Sequence, residues 1–134
     1  MQTTVKGSYD SVKIRVTQAL QEQGFGLLTE IDMQQTLKDK IGVDLERYEI
    51  LGACNPQLAH QALTVDRTIG LLLPCNVVLR ETGDEVEVSI LDAEKLFELV
   101  GESNQAALAG VAVEAKKRLE GVISDLSTKQ GGLQ

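Results

Sequence analysis

The chain has two cysteines, and each stands beside an asparagine, in Cys54-Asn55-Pro56 and in Pro74-Cys75-Asn76. A thiol that loses its proton is a nucleophile and a soft-metal ligand, and an amide both donates and accepts hydrogen bonds. The repeated pairing therefore marks Cys54, Asn55, Cys75 and Asn76 as a candidate site for a small ligand, a soft metal or a reversible disulfide. Cys54 falls just before a helix start, where unpaired N–H groups and the dipole favour an anion and lower a thiol's pKa. That makes it the better candidate for a reactive thiolate. Cys75 follows Leu71-Leu72-Leu73-Pro74, and apolar surroundings raise a thiol's pKa and keep it inert. Should the two strands that carry them pair antiparallel, the end of one lies beside the start of the other and both sulfurs can meet at one edge of the sheet. A disulfide there requires Cα atoms about 4.4 to 6.8 Å apart, which spacing does not establish. Free cysteines are commonly small buried packing residues, and that reading takes precedence. The structural roles open to the amides are capping for Asn55 and satisfying strand-edge backbone groups for Asn76.

No other residues gather into a site. His60, the one histidine, lies beside Gln57, Gln61 and Thr64 and is expected at the surface. Zinc needs more His or Cys ligands than the spacing supplies, so no metal or cofactor is assigned. Glu81, Asp84, Glu85 and Glu87 read as a solvated hairpin edge that discourages strand addition, not as a calcium site. Gly101, Gly110 and Gly121 follow no phosphate-loop pattern, and Phe25, Tyr48 and Phe97 are expected in the core.

The elements that must position the pairs follow from periodicity. Thr3 to Val5 read as a short strand. Ser8 caps a helix with Val12, Val16, Ala19 and Leu20 on one stripe, and Gly24 stops it. Phe25, Leu27, Thr29 and Ile31 alternate on one face of a strand expected to be partly covered on both sides. Asp32 with Gln35 starts a short amphipathic helix through Met33, Leu37 and Ile41. The next strand places Tyr48, Ile50, Gly52 and Cys54 on one side and Glu49, Leu51 and Ala53 on the other. Asn55 as cap and Pro56 as first residue then open a helix that buries Leu58, Ala59, Ala62 and Leu63. Pro74 interrupts the apolar run from Ile69, so a strand begins at Cys75 or lies at a bulge or edge there, and it forms a hairpin with Val86, Val88 and Ile90. A turn or two of helix over Leu96 to Val100 breaks near Gly101. A long helix from about Ser103 carries Ala107, Leu108, Val111, Ala115, Leu119, Val122 and Leu126 along one side.

This is an α+β order, read as a single domain over residues 1–128 and a flexible C-terminal tail over 129–134. At 134 residues the chain buries roughly 68% of its unfolded surface and needs no disulfide or metal scaffold. A net charge of −7 repels a polyanion, so nucleic acid is not an expected partner. Nothing approaches the ~18 apolar residues of a membrane span, and the first ten residues lack the apolar core of a secretory signal. The expected location is cytoplasmic, with both cysteines as free thiols.

Ile50-Leu51-Gly52-Ala53-Cys54-Asn55-Pro56, the helix with Ala59, Leu72-Leu73-Pro74-Cys75-Asn76-Val77-Val78, and Gly24 through Asp32 resemble the signature of the domain-of-unknown-function family numbered three hundred and two. The resemblance covers nearly the whole chain. It implies a β-α-β(4)-α arrangement, an antiparallel sheet with helices on one face plus short extra helices, similar to the fold class of the TATA-box-binding protein. It also implies a homodimer and no established activity. One departure is Asp92-Ala93, where many relatives are expected to have Asp-Pro. Three readings follow. The leading one is a non-enzymatic homodimer that binds a small ligand at the two Cys-Asn corners. The others are a thiol-based redox or soft-metal-handling protein using Cys54 and Cys75, and an interaction module using an uncovered sheet face.

Overall fold

The chain, a computed structural model, is described over residues 1–100 and 102–132, leaving out the side chains of 102, 103 and 129–132. Its elements are β1 Gln2–Lys6, α1 Tyr9–Glu22, β2 Gly26–Asp32, α2 Met33–Ile41, β3 Tyr48–Cys54 and α3 Pro56–Val65. A 3-10 helix over Arg67–Leu72 follows, then β4 Cys75–Thr82, β5 Glu85–Ile90, α4 Ala93–Phe97 and α5 Glu102–Gly132. The strands form one sheet in the order β1-β5-β4-β3-β2, every neighbour antiparallel. Without the short helices this is the expected β-α-β(4)-α order.

Alternation decides which face is covered. Val5, Leu51, Ala53, Cys75, Val77, Leu79, Val86, Val88 and Ile90 point to one side. There they bury against Val12, Val16 and Leu20 of α1 and Leu119, Val122 and Leu126 of α5. Beyond the ends of β3 and β4 the core continues as a helical annex, in which Ala62, Ile69, Phe97, Leu108 and Ala112 pack together. Leu58, Ala93 and Ala115 link the two regions. Phe25 and Phe97 are buried as expected, whereas Tyr48 is only half-buried. On α5 it is Ala112, not the exposed Ala107, that joins the seam.

The caps act as read. Ser8 Oγ accepts the Ser11 amide at 3.3 Å, and Asp32 Oδ1 accepts that of Gln35 at 2.9 Å. Asp92, which was not read as a cap, caps α4, its Oδ1 accepting from Glu94 N at 3.0 Å and Lys95 N at 3.3 Å. Ala93 is the first residue of that helix, a position whose N–H the helix leaves unpaired and where proline would fit equally well, so the departure from Asp-Pro leaves the turn intact.

Strand β2 differs from its expected reading. The ladder steps from Leu27↔Ala53 to Thr29↔Gly52, a bulge that reverses the alternation. Leu27 therefore shares the covered side with Ala53, while Thr29 and Ile31 lie on the side of Gly52 and Ile50. As an edge strand β2 is exposed at every residue but Leu27, not partly covered on both faces. The apolar run before Pro74 lies mostly in the 3-10 helix, and β4 begins at Cys75 as expected. The α5 backbone is helical through Gly132, past residue 129 where a tail was expected. Gly101 and residues 133–134 lie outside the described residues.

Candidate functional site

Register brings the two cysteines to one place. Ala53 pairs with Cys75 and Gly52 with Asn76, so the end of β3 lies beside the start of β4. The Thr29 and Pro74 side chains press against the β3 backbone there because Gly52 has no side chain. A Cβ on it would meet Thr29 Oγ1 and would lie 2.7 Å from the Pro74 ring. Asn55 leads from β3 into α3, its Oδ1 accepting the Leu58 amide at 3.1 Å and its carbonyl accepting that of Ala59 at 2.9 Å. It is the N-cap that the sequence suggests, and it is buried.

Cys54, Asn55 and Cys75 line a cavity of about 20 Å³ walled by Phe25, Leu58, Leu73 and Phe97. That is room for roughly one water, which would find few polar partners there. Cys75 is buried and Cys54 half-buried, and the two are free thiols, not disulfide-bonded. Burial pushes the Cys54 thiol up, opposite to the lowering expected from the start of α3. Burial, and secondarily the neighbouring Cys54, push Cys75 up to about 11, the direction its apolar approach indicated. Both are therefore protonated at neutral pH.

Asn76 does not join them. It is exposed on the opposite face of β4, near Gln2, Val78 and Ser89, and its carbonyl accepts the Leu91 amide at 3.3 Å. The two asparagines thus do not converge on one ligand. His60 is exposed on α3 as expected. Among the described residues no group of three or more His, Cys, Asp or Glu side chains is placed to hold an ion.

Two features escaped the sequence reading. Arg118 reaches from α5 to the turn after α1, donating to the Gln23 carbonyl at 3.5 Å and to Glu114 at 2.9 Å. Gly24, at φ 84°, sits beneath it. A Cβ there would lie 2.8 Å from Asn55 Nδ2 and 3.2 Å from Arg118 Nη1, so the guanidinium stands beside the amide that lines the cavity. The second feature is a buried carboxylate. Glu49 shares the covered face of β3 with Leu51, opposite Leu79, and Lys13 of α1 donates to it at 2.9 Å and to Glu30 at 2.7 Å. Tyr9 lies beside it, with the Arg47 guanidinium 4.0 Å above its ring. Burial, and then the Glu49 charge, hold the Tyr9 phenol well above its ordinary range. An acidic residue at an inward position of β3 was the available signal.

The fold and site define an α+β domain with a five-stranded antiparallel sheet, helices on its covered face and two thiols at one end of its interior strands. The profile of the family described as "Domain of unknown function DUF302" matches residues 1–126, and the chain belongs to that family. It is similar to a solved structure described as the crystal structure of an uncharacterized conserved protein DUF302 from Bacillus stearothermophilus. The two are 26% identical, over 92% of this chain and 94% of that one, with a TM-score of 0.82. No curated protein matches. The family carries no established activity, and no helix among the described residues is long and apolar enough to cross a membrane.

Proposed function

We propose that this chain is a non-enzymatic cytoplasmic binding protein in which Cys54 and Cys75 act together, holding what they bind in the cavity that both line. The observation that carries this reading is that two free thiols from different strands line one space of about 20 Å³. A space of that size suits a single atom bridging two sulfurs better than a polar organic molecule, and Asn76 is too far round the sheet to help hold one. A thiol redox role would draw on the same pair. The test uses inorganic arsenite, which binds tightly where two thiols reach one arsenic atom. Arsenite should slow alkylation of Cys54 in the reduced protein, and Cys75→Ser should abolish that protection. Equal alkylation rates with and without arsenite in the unmodified protein would refute the pairing.

Homodimerisation belongs to the same proposal. Ile31 is 44% exposed on the face that also carries half-buried Ile50 and Val78, which suits a second copy of the chain. Sedimentation should then show a dimer that Ile31→Glu weakens, and a monomer at high concentration would count against it. Kinship with the TATA-box-binding protein's fold class also stays within the proposal, supported by the β-α-β(4)-α order. Neither nucleic acid nor a membrane is proposed as a partner, since the net charge of −7 opposes phosphate.

A further inference from the structure

On the reading of the cavity as a two-thiol site, we infer that it takes a monovalent, two-coordinate soft cation of the copper(I) class, bound between the sulfurs of Cys54 and Cys75.

The donor set selects the class. Soft thiolates favour Cu(I), Zn(II) and iron–sulfur clusters, and structural zinc demands four ligands. Among the described residues no third His, Cys, Asp or Glu accompanies the two cysteines. Hard cations such as Ca(II) and Mg(II) need six or more oxygens, and the walls here are Phe25, Leu58, Leu73 and Phe97. A filled-shell monovalent cation is satisfied by two sulfurs, and a cavity of about 20 Å³ leaves no room for a set of waters to complete a larger shell.

Charge points the same way. Binding forms two metal–sulfur bonds and releases two thiol protons to solvent, and the metal keeps its oxidation state. One positive charge between two thiolates leaves the complex at −1. The ten-residue helix α3 begins two residues after Cys54, and a helix N-terminus acts as roughly half a positive charge. The Arg118 guanidinium stands on the same side, beside the Asn55 amide, but it is paired with Glu114 at 2.9 Å, so the helix terminus is the main source of positive potential. A divalent cation with the same two thiolates would be neutral and would draw little from either. The half-buried Cys54 meets the incoming ion first and the buried Cys75 completes its coordination.

The experiment is an anaerobic competition titration of the reduced full chain with Cu(I) against a chromophoric Cu(I) chelator, followed by X-ray absorption at the copper edge. We expect one Cu(I) per chain in a two-sulfur environment. Cys54→Ser and Cys75→Ser should each weaken binding by more than the roughly 10- to 100-fold that losing an outer-shell partner costs. Because a hydroxyl at position 75 faces apolar neighbours, Cys75→Ala provides the same test with folding checked by circular dichroism. Affinity unchanged in a folded single-cysteine variant overturns the inference. So does Zn(II) binding through the same thiols as tightly as Cu(I). Arsenite protection without Cu(I) binding overturns the cation class and leaves the two-thiol reading standing, whereas failure of both removes both.

Discussion

Replacing Lys13 by methionine removes the cation that compensates Glu49 while keeping most of the apolar stem. Glu49 is 8% exposed, one carboxylate oxygen is met by Lys13 at 2.9 Å, and the other, Oε1, is buried with no second cation bonded to it among the described residues. Breaking a fully buried ion pair from one side costs about 3 to 5 kcal/mol, because a charge is left without its partner. The Lys13 side chain is 26% exposed and divides its charge between Glu49 and Glu30, so water and the second carboxylate screen part of that cost. The expected loss for Lys13→Met is therefore about 2 to 3 kcal/mol. At roughly 3 to 4 °C per kcal/mol for a chain of this size, the melting temperature falls by about 8 °C. The double variant Lys13→Met/Glu49→Leu removes both charges from the interface between α1 and β3 and should recover most of that loss. Urea denaturation of the two single variants and the double variant measures the cycle, with an unchanged denaturant slope showing that the native and unfolded states are otherwise the same. A Lys13→Met variant within about 0.5 kcal/mol of the unmodified protein would refute the account of Glu49 as a buried charge dependent on Lys13.

Two further outcomes follow from the thiol end of the sheet. In the reduced, metal-free protein the native state holds the Cys75 proton up to about 11, against an ordinary thiol value of 9.0. The stability this contributes is complete below pH 9 and is lost as pH rises toward 11, by about 2 to 3 kcal/mol at ~1.4 kcal/mol per pKa unit. Cys75→Ala should flatten that decline relative to the unmodified protein, and identical stability–pH slopes for the two would contradict it. Gly52→Ala places a methyl 2.7 Å from the Pro74 ring and against Thr29, so a loss of about 1 to 3 kcal/mol is expected in the same assay. An unchanged midpoint would show that the β2–β3–Pro74 contact gives way freely.

What local chemistry dictates was readable from residue order. Ser8, Asp32 and Asn55 cap the helices they were read to cap, because an N-cap needs only a short polar side chain and a following run of helix formers. The alternation of β3 placed Leu51 and Ala53 on the buried face. What depended on pairing was not readable. The bulge between Leu27 and Thr29 is a backbone event with no residue signature, and it alone moves Thr29 and Ile31 to the far side. That Asn76 faces away from the cavity was, by contrast, legible, because it alternates with Cys75 and Val77 along β4 and adjacent strand residues point to opposite faces. Cys54 was read from the helix that follows it, but the walls that Phe25 and Phe97 contribute come from distant segments, and the burial they impose pushes its thiol upward. The place of Glu49 on β3 was visible, yet its cation, Lys13, comes from another element.

The order of the strands also sets when the domain can close. Among the described residues β1 has no strand neighbour other than β5, with Gln2 opposite Ser89, so this strand waits for nearly the whole sheet before it finds its partner. The core beneath it is completed by Leu119, Val122 and Leu126 of α5, and Thr3 is tied to Ser127 by a 2.8 Å hydrogen bond. Such sequence-distant pairings slow folding, because chain entropy is lost before the contacts that compensate it form. During synthesis the packing around Val5, Val12 and Val16 is therefore completed only after α5 has emerged, and until then part of that apolar surface lacks its cover.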